Sequence, residues 1–270
     1  MKKTPRRPWR PIALFALLVF ILMGFREKLQ LTTVELRREH AARILLLSDL
    51  HATLYGEDQS ELISQIKDAA PDAILIAGDL FDERREKSPV FALIEGITPL
   101  APVYFVCGNH DLQFERFDSL LHELETRGVI ILHGKTELLR VGERCISISG
   151  LIDPLSISHR DLFGYRKHLE DLQPLPEADT HILLAHRPEY VRLYRQFPFD
   201  VVLCGHAHGG QARLPFIGQG LLSPGQGFFP AWSGGVYTFD ELTMVVSRGL
   251  SRFASMPRFY NPPELVLVLL

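Results

Sequence analysis

Cysteine is scarce in this chain. The sequence contains three cysteines, Cys107, Cys145 and Cys204. Each lies in or at the end of an apolar, strand-like run, where a thiol generally behaves as a small buried hydrophobic group. We therefore expect neither a disulfide framework nor a redox function.

Long blocks of like charge, internal repeats and low-complexity segments are also missing. The formal net charge of the chain is −3, and beyond the first residues its charges are spread without long blocks of one sign. This pattern gives no reason to expect nucleic acid as a partner, and no obligate protein partner is evident. A chain of 270 residues, 46% of them hydrophobic, is long enough for one large α/β domain.

The N-terminus is the exception to this even pattern. An uncharged apolar run extends from Pro11 to Phe25 and follows five cations, Lys2, Lys3, Arg6, Arg7 and Arg10. The run is shorter than the roughly 20 residues of a usual membrane span and is similar in length to the apolar core of a signal peptide. No small-x-small cleavage site follows it. The pattern favours an uncleaved transmembrane signal anchor over residues 1–28, with a buried first helix as the alternative.

The charge asymmetry predicts the side of the membrane. Cations flanking an apolar segment generally stay in the cytoplasm. We therefore expect a single-pass protein of the cell membrane whose remaining chain lies on the extracytoplasmic face. Residues 29–43 are predicted to be a linker or an edge strand, and residues 44–270 one folded domain.

The folded domain has an alternating first half and a strand-rich second half. Short apolar runs such as "RILLLSD" and "DAILIAGD" alternate with amphipathic segments, which predicts an α/β fold with helices on the faces of a sheet. A hairpin around Val141-Gly142-Glu143 then begins a region with more strands. Two packed sheets with helices outside are therefore expected.

Polar residues end five of the buried strands. In chain order these residues are Asp49 and His51, Asp79 and Asp82, Asn109, His110 and Asp111, His186, and His206 and His208. A single case would be an ordinary loop start or helix cap. Because α/β folds gather the carboxyl ends of their strands at one edge, five cases together predict one functional site.

The donor types in this set indicate a catalytic metal site. Oxygen and imidazole ligands without thiolate suit manganese, iron or zinc used for chemistry, whereas structural zinc sites generally use cysteine. Seven candidate donors are too many for one tetrahedral ion and fit two ions that share a carboxylate. Such a pair suits the hydrolysis of phosphate esters.

The five motifs "DLH", "GDLFD", "GNHD", "AHRP" and "GHAH" resemble, in order, those of the calcineurin-like metallophosphoesterases. The C-terminal "NPPELVLVLL" is similar to the membrane-anchored bacterial branch, whose members include hydrolases of UDP-diacylglucosamine. The resemblance implies a four-layer α/β/β/α sandwich. It also implies a phosphoesterase that hydrolyses a phosphodiester, pyrophosphate or phosphomonoester by attack of a metal-bridging hydroxide.

The resemblance assigns a role to each motif residue. Two divalent ions, Mn²⁺, Fe²⁺/Fe³⁺ or Zn²⁺, would be bound. The first would be held by Asp49, His51 and His208, the second by Asn109, His186 and His206, with Asp79 bridging. His110 would act on the phosphate, and Asp82 would orient His110. Asp111 would support the ligands or cap a helix.

Two further features bear on the substrate. Arg187 follows a ligand and is a candidate for substrate binding, and the stretch 214–237 carries Phe216, Phe228, Phe229 and Trp232. These aromatics would either pack into hairpins or touch lipid, which would make the substrate amphiphilic. The alternatives to a phosphoesterase of this kind are a non-catalytic metal-bearing scaffold and a protein phosphatase.

Overall fold

A computed structural model describes residues 9–25, 28–36, 42–156, 162–213, 215, 217–252 and 257–270. Most of the predicted cationic N-terminus, part of the predicted linker and Phe216 lie outside these residues. The helices of the described part are α1 (Trp9–Gly24), α2 (Ser60–Ala69), α3 (Ser88–Ile97), α4 (Phe117–Thr126), α5 (Leu162–Asp171) and α6 (Val191–Tyr194).

The strands of the described part are mostly short. They are β1 (Gln30–Glu35), β2 (Arg43–Leu47), β3 (Ala73–Ala77), β4 (Val103–Val106), β5 (Val129–Ile131), β6 (Lys135–Val141), β7 (Arg144–Gly150), β8 (Thr180–Leu184), β9 (Val201–Cys204), β10 (Leu222–Ser223), β11 (Gly227–Phe228), β12 (Gly235–Thr238), β13 (Thr243–Val246) and β14 (Glu264–Leu269).

Two six-stranded sheets form the centre of the fold. The first has the order β1-β14-β2-β3-β4-β5, and the second has the order β12-β13-β9-β8-β7-β6. In the first sheet only β14 and β2 pair antiparallel. In the second sheet the antiparallel pairs are β6 with β7 and β12 with β13. The strands β10 and β11 form a separate short ribbon.

Three layers of buried apolar side chains hold the sheets and helices together. Leu62 and Ile66 of α2 pack on one face of the first sheet with residues of α3 and α4. The two sheets face each other across a second layer, which includes Leu75 and Leu203. The outer face of the second sheet is covered by residues of α5 and α6 such as Tyr165. The predicted four-layer α/β/β/α sandwich is therefore confirmed.

The composition of the strands follows from this layering. β3, Ala73–Ala77, is buried at every position because helices cover one of its faces and the second sheet covers the other. A strand buried on both faces reads as a continuous apolar run without alternation. Each fully buried Leu or Ile contributes about 1.5–3 kcal/mol, so these runs stabilise the sheet that carries the site.

The N-terminal helix α1 lies against the C-terminal part of the chain. Its last turn contacts Tyr260, whose backbone N–H donates to the carbonyl of Gly24 at 2.6 Å and whose hydroxyl donates to the carbonyl of Phe20 at 2.6 Å. Toward its other end the helix exposes apolar side chains, with Ile12 70% and Leu14 67% exposed. Among the described residues, no helix is both long and apolar enough to cross a membrane. The predicted transmembrane span therefore has no structural support.

Candidate active site

The carboxyl ends of five parallel strands meet where the two sheets face each other. Asp49 follows β2, Asp79 follows β3, and Asn109 follows β4 in the first sheet. His186 follows β8 and His206 follows β9 in the second. The backbone N–H of His206 donates to both carboxylate oxygens of Asp49, at 3.0 and 3.1 Å, and so joins the two sheets at the site.

Several of these residues have a strained backbone. The φ angles of Asp49, His51, Asp79, His206 and His208 lie between 46° and 65°, in the left-handed region. A residue other than glycine pays on the order of 1–3 kcal/mol for such a conformation and keeps it where the surroundings impose it. The sharp turns direct side chains that follow different strands into one space.

The side chains form two clusters with metal-ligand geometry that share no residue, and a third group of this kind, His51, Asp79 and His110, overlaps both. Asp49, His51 and His208 bring one ligand atom each within 4.8 Å of one another, and so do Asp79, His186 and His206. Asp79 Oδ2 also lies 3.6 Å from His51 Nε2, so this carboxylate adjoins both clusters.

Buried polar atoms without a partner support this interpretation. His51 Nε2, His208 Nδ1 and Asn109 Oδ1 are buried and have no hydrogen-bond partner among the described residues. A polar atom buried in this way is costly unless something binds it. Because all three atoms are lone-pair donors of the kind that metals accept, the residues fit divalent metal ions.

Burial sets the charge of most of the imidazoles. It lowers the pKa of His51 to about 4 and that of His208 to about 3, and it holds the pKa of His206 well below its ordinary value. These three rings are therefore neutral at pH 7, which is the form that ligates metals.

His186 and the aspartates behave differently. Burial opposes the charge on His186, but Asp79, 3.3 Å from its Nε2, raises its pKa to about 10. Burial likewise opposes the charge on Asp79, yet His186 holds the pKa of that carboxyl well below its usual value. Burial also raises the pKa of Asp49. Metal binding must displace the proton of His186, since a ligand nitrogen has to be free.

The backbone determines which nitrogen of His186 faces the cluster. Its Nδ1 lies 2.7 Å from the carbonyl oxygen of Ala77 and donates to it. Nε2 is therefore the nitrogen directed at Asp79. An acceptor of this kind for a ligand's second ring nitrogen is typical of metal-binding histidines.

Asp111 organises the loops that carry Asp79 and Asn109. Its carboxylate accepts backbone N–H groups from Asp79 at 2.7 Å, Gly108 at 2.8 Å and Phe81 at 3.0 Å. Burial, with the nearby charge of Asp79, raises the pKa of Asp111 to about 7. The sequence left its role open between support of the ligands and a helix cap, and its contacts are those of a support.

Glycine is required at position 108 by this packing. A Cβ at Gly108 would collide with the carboxylate of Asp79. The loop can therefore approach the ligand closely only without a side chain.

His110 lies beside the clusters, and its ring makes a T-shaped contact with the ring of His51 at a centroid distance of 4.7 Å. Its side chain is 30% exposed, and its Nδ1 lies 3.4 Å from Glu83 Oε2. The predicted orienting residue Asp82 instead accepts the backbone N–H of Arg84 at 2.9 Å and lies 3.7 Å from Arg85 Nε. The acid in contact with the ring of His110 is therefore Glu83, because the turn after Phe81 directs the second of the two acids toward it. The orienting role of Asp82 stays a prediction.

Arg187 lies at the border of the second cluster. Its Nε donates to Asp153 Oδ2 at 2.7 Å, and its Nη2 donates to Asp153 Oδ1 at 3.3 Å. Its Nη1 lies 3.4 Å from Glu189 Oε1. The sequence pattern does not single out Asp153 or Glu189, because neither residue belongs to a motif that directly follows a strand.

The aromatic stretch divides into two parts. Trp232 packs against the rings of Tyr237 and Phe239, at centroid distances of 5.0 and 5.4 Å. Phe228 and Phe229 are 72% and 61% exposed. Trp232 is thus packed against neighbouring rings, whereas Phe228 and Phe229 are exposed.

Comparison with known proteins places the chain in a family. The family model of calcineurin-like phosphoesterases matches residues 42–210. YkoQ of Bacillus subtilis, named as an uncharacterized metallophosphoesterase, is 31% identical over 177 residues, which are 64% of this chain and 63% of that protein. The chain thus spans less than two thirds of that relative's length.

Two further comparisons agree with this placement. The phosphodiesterase YaeI of Escherichia coli is 26% identical over 235 residues, 84% of this chain and 81% of that protein. The crystal structure of TT1561 of Thermus thermophilus matches 78% of this chain and 91% of its own, with a TM-score of 0.52 at 15% identity, which shows a shared fold. The chain belongs to the calcineurin-like phosphoesterase family.

Proposed function

We propose that the chain binds two divalent metal ions in adjoining sites and hydrolyses a phosphodiester, pyrophosphate or phosphomonoester there. The observation that carries the proposal is the position of Asp79 between the two ligand clusters. Asp49, His51 and His208 would hold the first ion, Asn109, His186 and His206 the second, and Asp79 both. Such ions would supply the positive charge that activates water and neutralises the phosphoryl oxygens.

The protein's own groups would complete the reaction. The backbone N–H of His110 donates to Asp79 Oδ1 at 2.8 Å, which fixes His110 beside the shared carboxylate. Because its side chain is 30% exposed, whereas Asp49 and Asp79 are buried, His110 is accessible to a substrate. It would stabilise charge on the phosphate or give a proton to the leaving oxygen.

Removal of the shared ligand tests the proposal. Asp79→Asn should lower hydrolysis of bis-p-nitrophenyl phosphate with Mn²⁺ by at least about 100-fold, because both clusters lose a ligand. Asp68, an exposed acid of α2, provides the control, and Asp68→Asn should retain full activity. A fully active Asp79→Asn variant would contradict the bridging role. The complete ligand set argues against a non-catalytic scaffold.

We further propose that the chain attaches to a membrane through α1 and acts on an amphiphilic phosphoester. Two observations support this proposal: α1 exposes apolar side chains, and Phe228 and Phe229 are exposed as well. Burial of a phenylalanine in the acyl boundary is worth about 1.5–3 kcal/mol, so the pair would add to binding by the helix.

Replacing the phenylalanines tests this proposal. The double variant Phe228→Ser with Phe229→Ser should lower hydrolysis of a lipid phosphodiester in vesicles and leave hydrolysis of bis-p-nitrophenyl phosphate unchanged. Val236→Ser is the control, since Val236 is 44% exposed in the same stretch. Equal activity of the double variant and the wild type on vesicles would contradict the proposal.

The cationic N-terminus supports placing the catalytic domain on the extracytoplasmic face of the cell membrane. Protease added to intact spheroplasts should then cleave the domain. Cleavage only after lysis would place the domain in the cytoplasm.

A further inference from the structure

His206 presents one ring nitrogen to the metal cluster and the other to a group of charged side chains. Its Nδ1 lies 3.1 Å from His186 Nε2, the nitrogen that faces Asp79. Its Nε2 points away from the cluster and lies near Arg187 and Glu189. The inner nitrogen of His206 is therefore Nδ1.

The chemistry of imidazole limits the partner of the outer nitrogen. A neutral ring with a lone pair on Nδ1 carries its proton on Nε2 and needs an acceptor there. Arg187 Nη1 lies 3.2 Å from Nε2, but a guanidinium is a donor only and cannot accept this proton. Glu189 Oε1 lies 3.7 Å from the same nitrogen and is an acceptor.

Glu189 is confined in a narrow space beside this ring. Its side chain is 15% exposed, and its Oε2 is buried without a hydrogen-bond partner among the described residues. A Cβ at position 225 would collide with Glu189 Oε1, so the backbone at Gly225 packs closely against the carboxylate. Pro188 precedes Glu189 at the start of a short 3₁₀ turn, which limits the backbone there.

We propose that Glu189 is the positioning residue of the second metal site: its carboxylate accepts the Nε2–H of His206 and so directs Nδ1 toward the ion. The inference rests on the two-metal function proposed above. Arg187 keeps its two hydrogen bonds to Asp153 and its Nη1 contact with Glu189 Oε1. An acceptor beyond a metal-binding histidine generally changes metal affinity by 10–100-fold, roughly, when it is removed.

Metal affinity provides the first test. Binding of Mn²⁺ to the full chain is measured by equilibrium dialysis, and Glu189→Ala should weaken the binding of one of the two ions by about 10–100-fold while the other binds as before. Glu189→Gln should lose less, because its amide oxygen can still accept. Glu241→Ala removes an exposed acid far along the chain and should leave both affinities unchanged. Circular dichroism of the metal-free variants shows whether they fold, and Glu189→Gln replaces Glu189→Ala if the latter does not.

The tautomer of His206 provides the second test. A merely structural role of Glu189 would not affect this tautomer. In the Zn²⁺-loaded wild type, ¹H–¹⁵N spectra of the histidines should show a protonated, hydrogen-bonded Nε2 for His206. The Glu189→Ala variant should lose the hydrogen-bonded shift of this proton. His206→Ala identifies the signal, since only that signal disappears from the spectrum of the variant.

The outcomes separate the inference from the function on which it rests. The inference alone is overturned if the wild type binds two ions and the Glu189→Ala variant binds both as tightly and keeps the hydrogen-bonded shift of the His206 Nε2 proton. A wild type that binds fewer than two ions per chain overturns the two-metal function and the inference with it.

Discussion

Glu83 Oε2 lies 3.4 Å from His110 Nδ1 at the open side of the metal clusters. The neighbouring acid, Asp82, instead bonds within its own turn to the backbone of Arg84. The two adjacent acids thus have different partners, and of the two it is Glu83 that contacts the ring of His110.

This difference predicts the effects of two matched substitutions. Glu83→Gln should lower kcat for bis-p-nitrophenyl phosphate by about 10-fold, because a neutral amide orients the ring of His110 less strongly than the carboxylate does. Asp82→Asn should change kcat by less than about 2-fold. Bound manganese is measured in both variants and should equal that of the wild type. A larger loss in Asp82→Asn than in Glu83→Gln would identify Asp82 as the orienting residue.

Asp111 should be one of the residues on which folding depends most. An amide at this position would turn a donor toward the backbone N–H groups of Asp79, Gly108 and Phe81, and would leave at least one of them unpaired. Asp111→Asn should therefore lower the free energy of unfolding by about 2 kcal/mol or more, measured by urea denaturation of the metal-free chain.

A half-buried acid with a single bond of this kind serves as the control for Asp111. Asp200 Oδ2 accepts one backbone N–H, from His181 at 2.7 Å. Asp200→Asn should lower the free energy of unfolding by about 1 kcal/mol or less. Equal losses in the two variants would show that the number of backbone donors does not determine the effect.

The strands and the grouping of the polar residues at one edge could be predicted because both depend on local pattern. Runs such as "ILLL" and "AILIA" indicate strands buried on two faces, and the polar residues that follow them meet because parallel strands share an edge. The position of β14 could not be predicted in this way. It inserts between β1 and β2, which lie near the other end of the chain. The apolar run "ELVLVL" contains no signal that identifies these partners.

The supporting residues were harder to predict than the ligands. Asp82 and Glu83 are both acids after the same strand, and the path of the turn decides between them. Glu189 and Asp153 act through residues distant in sequence, so no spacing identifies them. The left-handed backbone of Asp49 or His208 was also not predictable, since neither aspartate nor histidine requires it and only the packing of the strand ends imposes it.

Strain of the same kind outside the site offers a test by substitution. Ala70 follows α2 with φ 43° and ψ 61°, and its side chain is exposed. Glycine adopts this conformation without the penalty that a Cβ imposes, so Ala70→Gly should raise the free energy of unfolding by about 1 kcal/mol in urea. Ala101, which is not in the left-handed region, is the control, and Ala101→Gly should be neutral or destabilising. Destabilisation by Ala70→Gly would contradict the role of strain.

His133 should make stability depend on pH, independently of the metal site. Its Nε2 accepts the backbone N–H of Cys107 at 3.0 Å, and burial, helped by Lys135, lowers its pKa to about 4. The unfolded chain binds a proton at His133 near pH 6.5, whereas the folded chain does so near pH 4. Between these values the unfolded state holds more protons, so stability contributed by the neutral ring is complete above about pH 6.5 and is lost as the pH falls toward about 4.

The loss amounts to at most about 3 kcal/mol at one ring. It is isolated by comparison with His133→Gln, whose side-chain oxygen can accept the same N–H but does not titrate. The metal-free wild type and the variant are unfolded in urea at several pH values from about 7.5 to about 4. The ligand histidines and aspartates titrate equally in both proteins, so their contribution cancels in the difference. The wild type should therefore lose more stability than the variant on acidification, and parallel curves would show that His133 is not protonated more easily on unfolding.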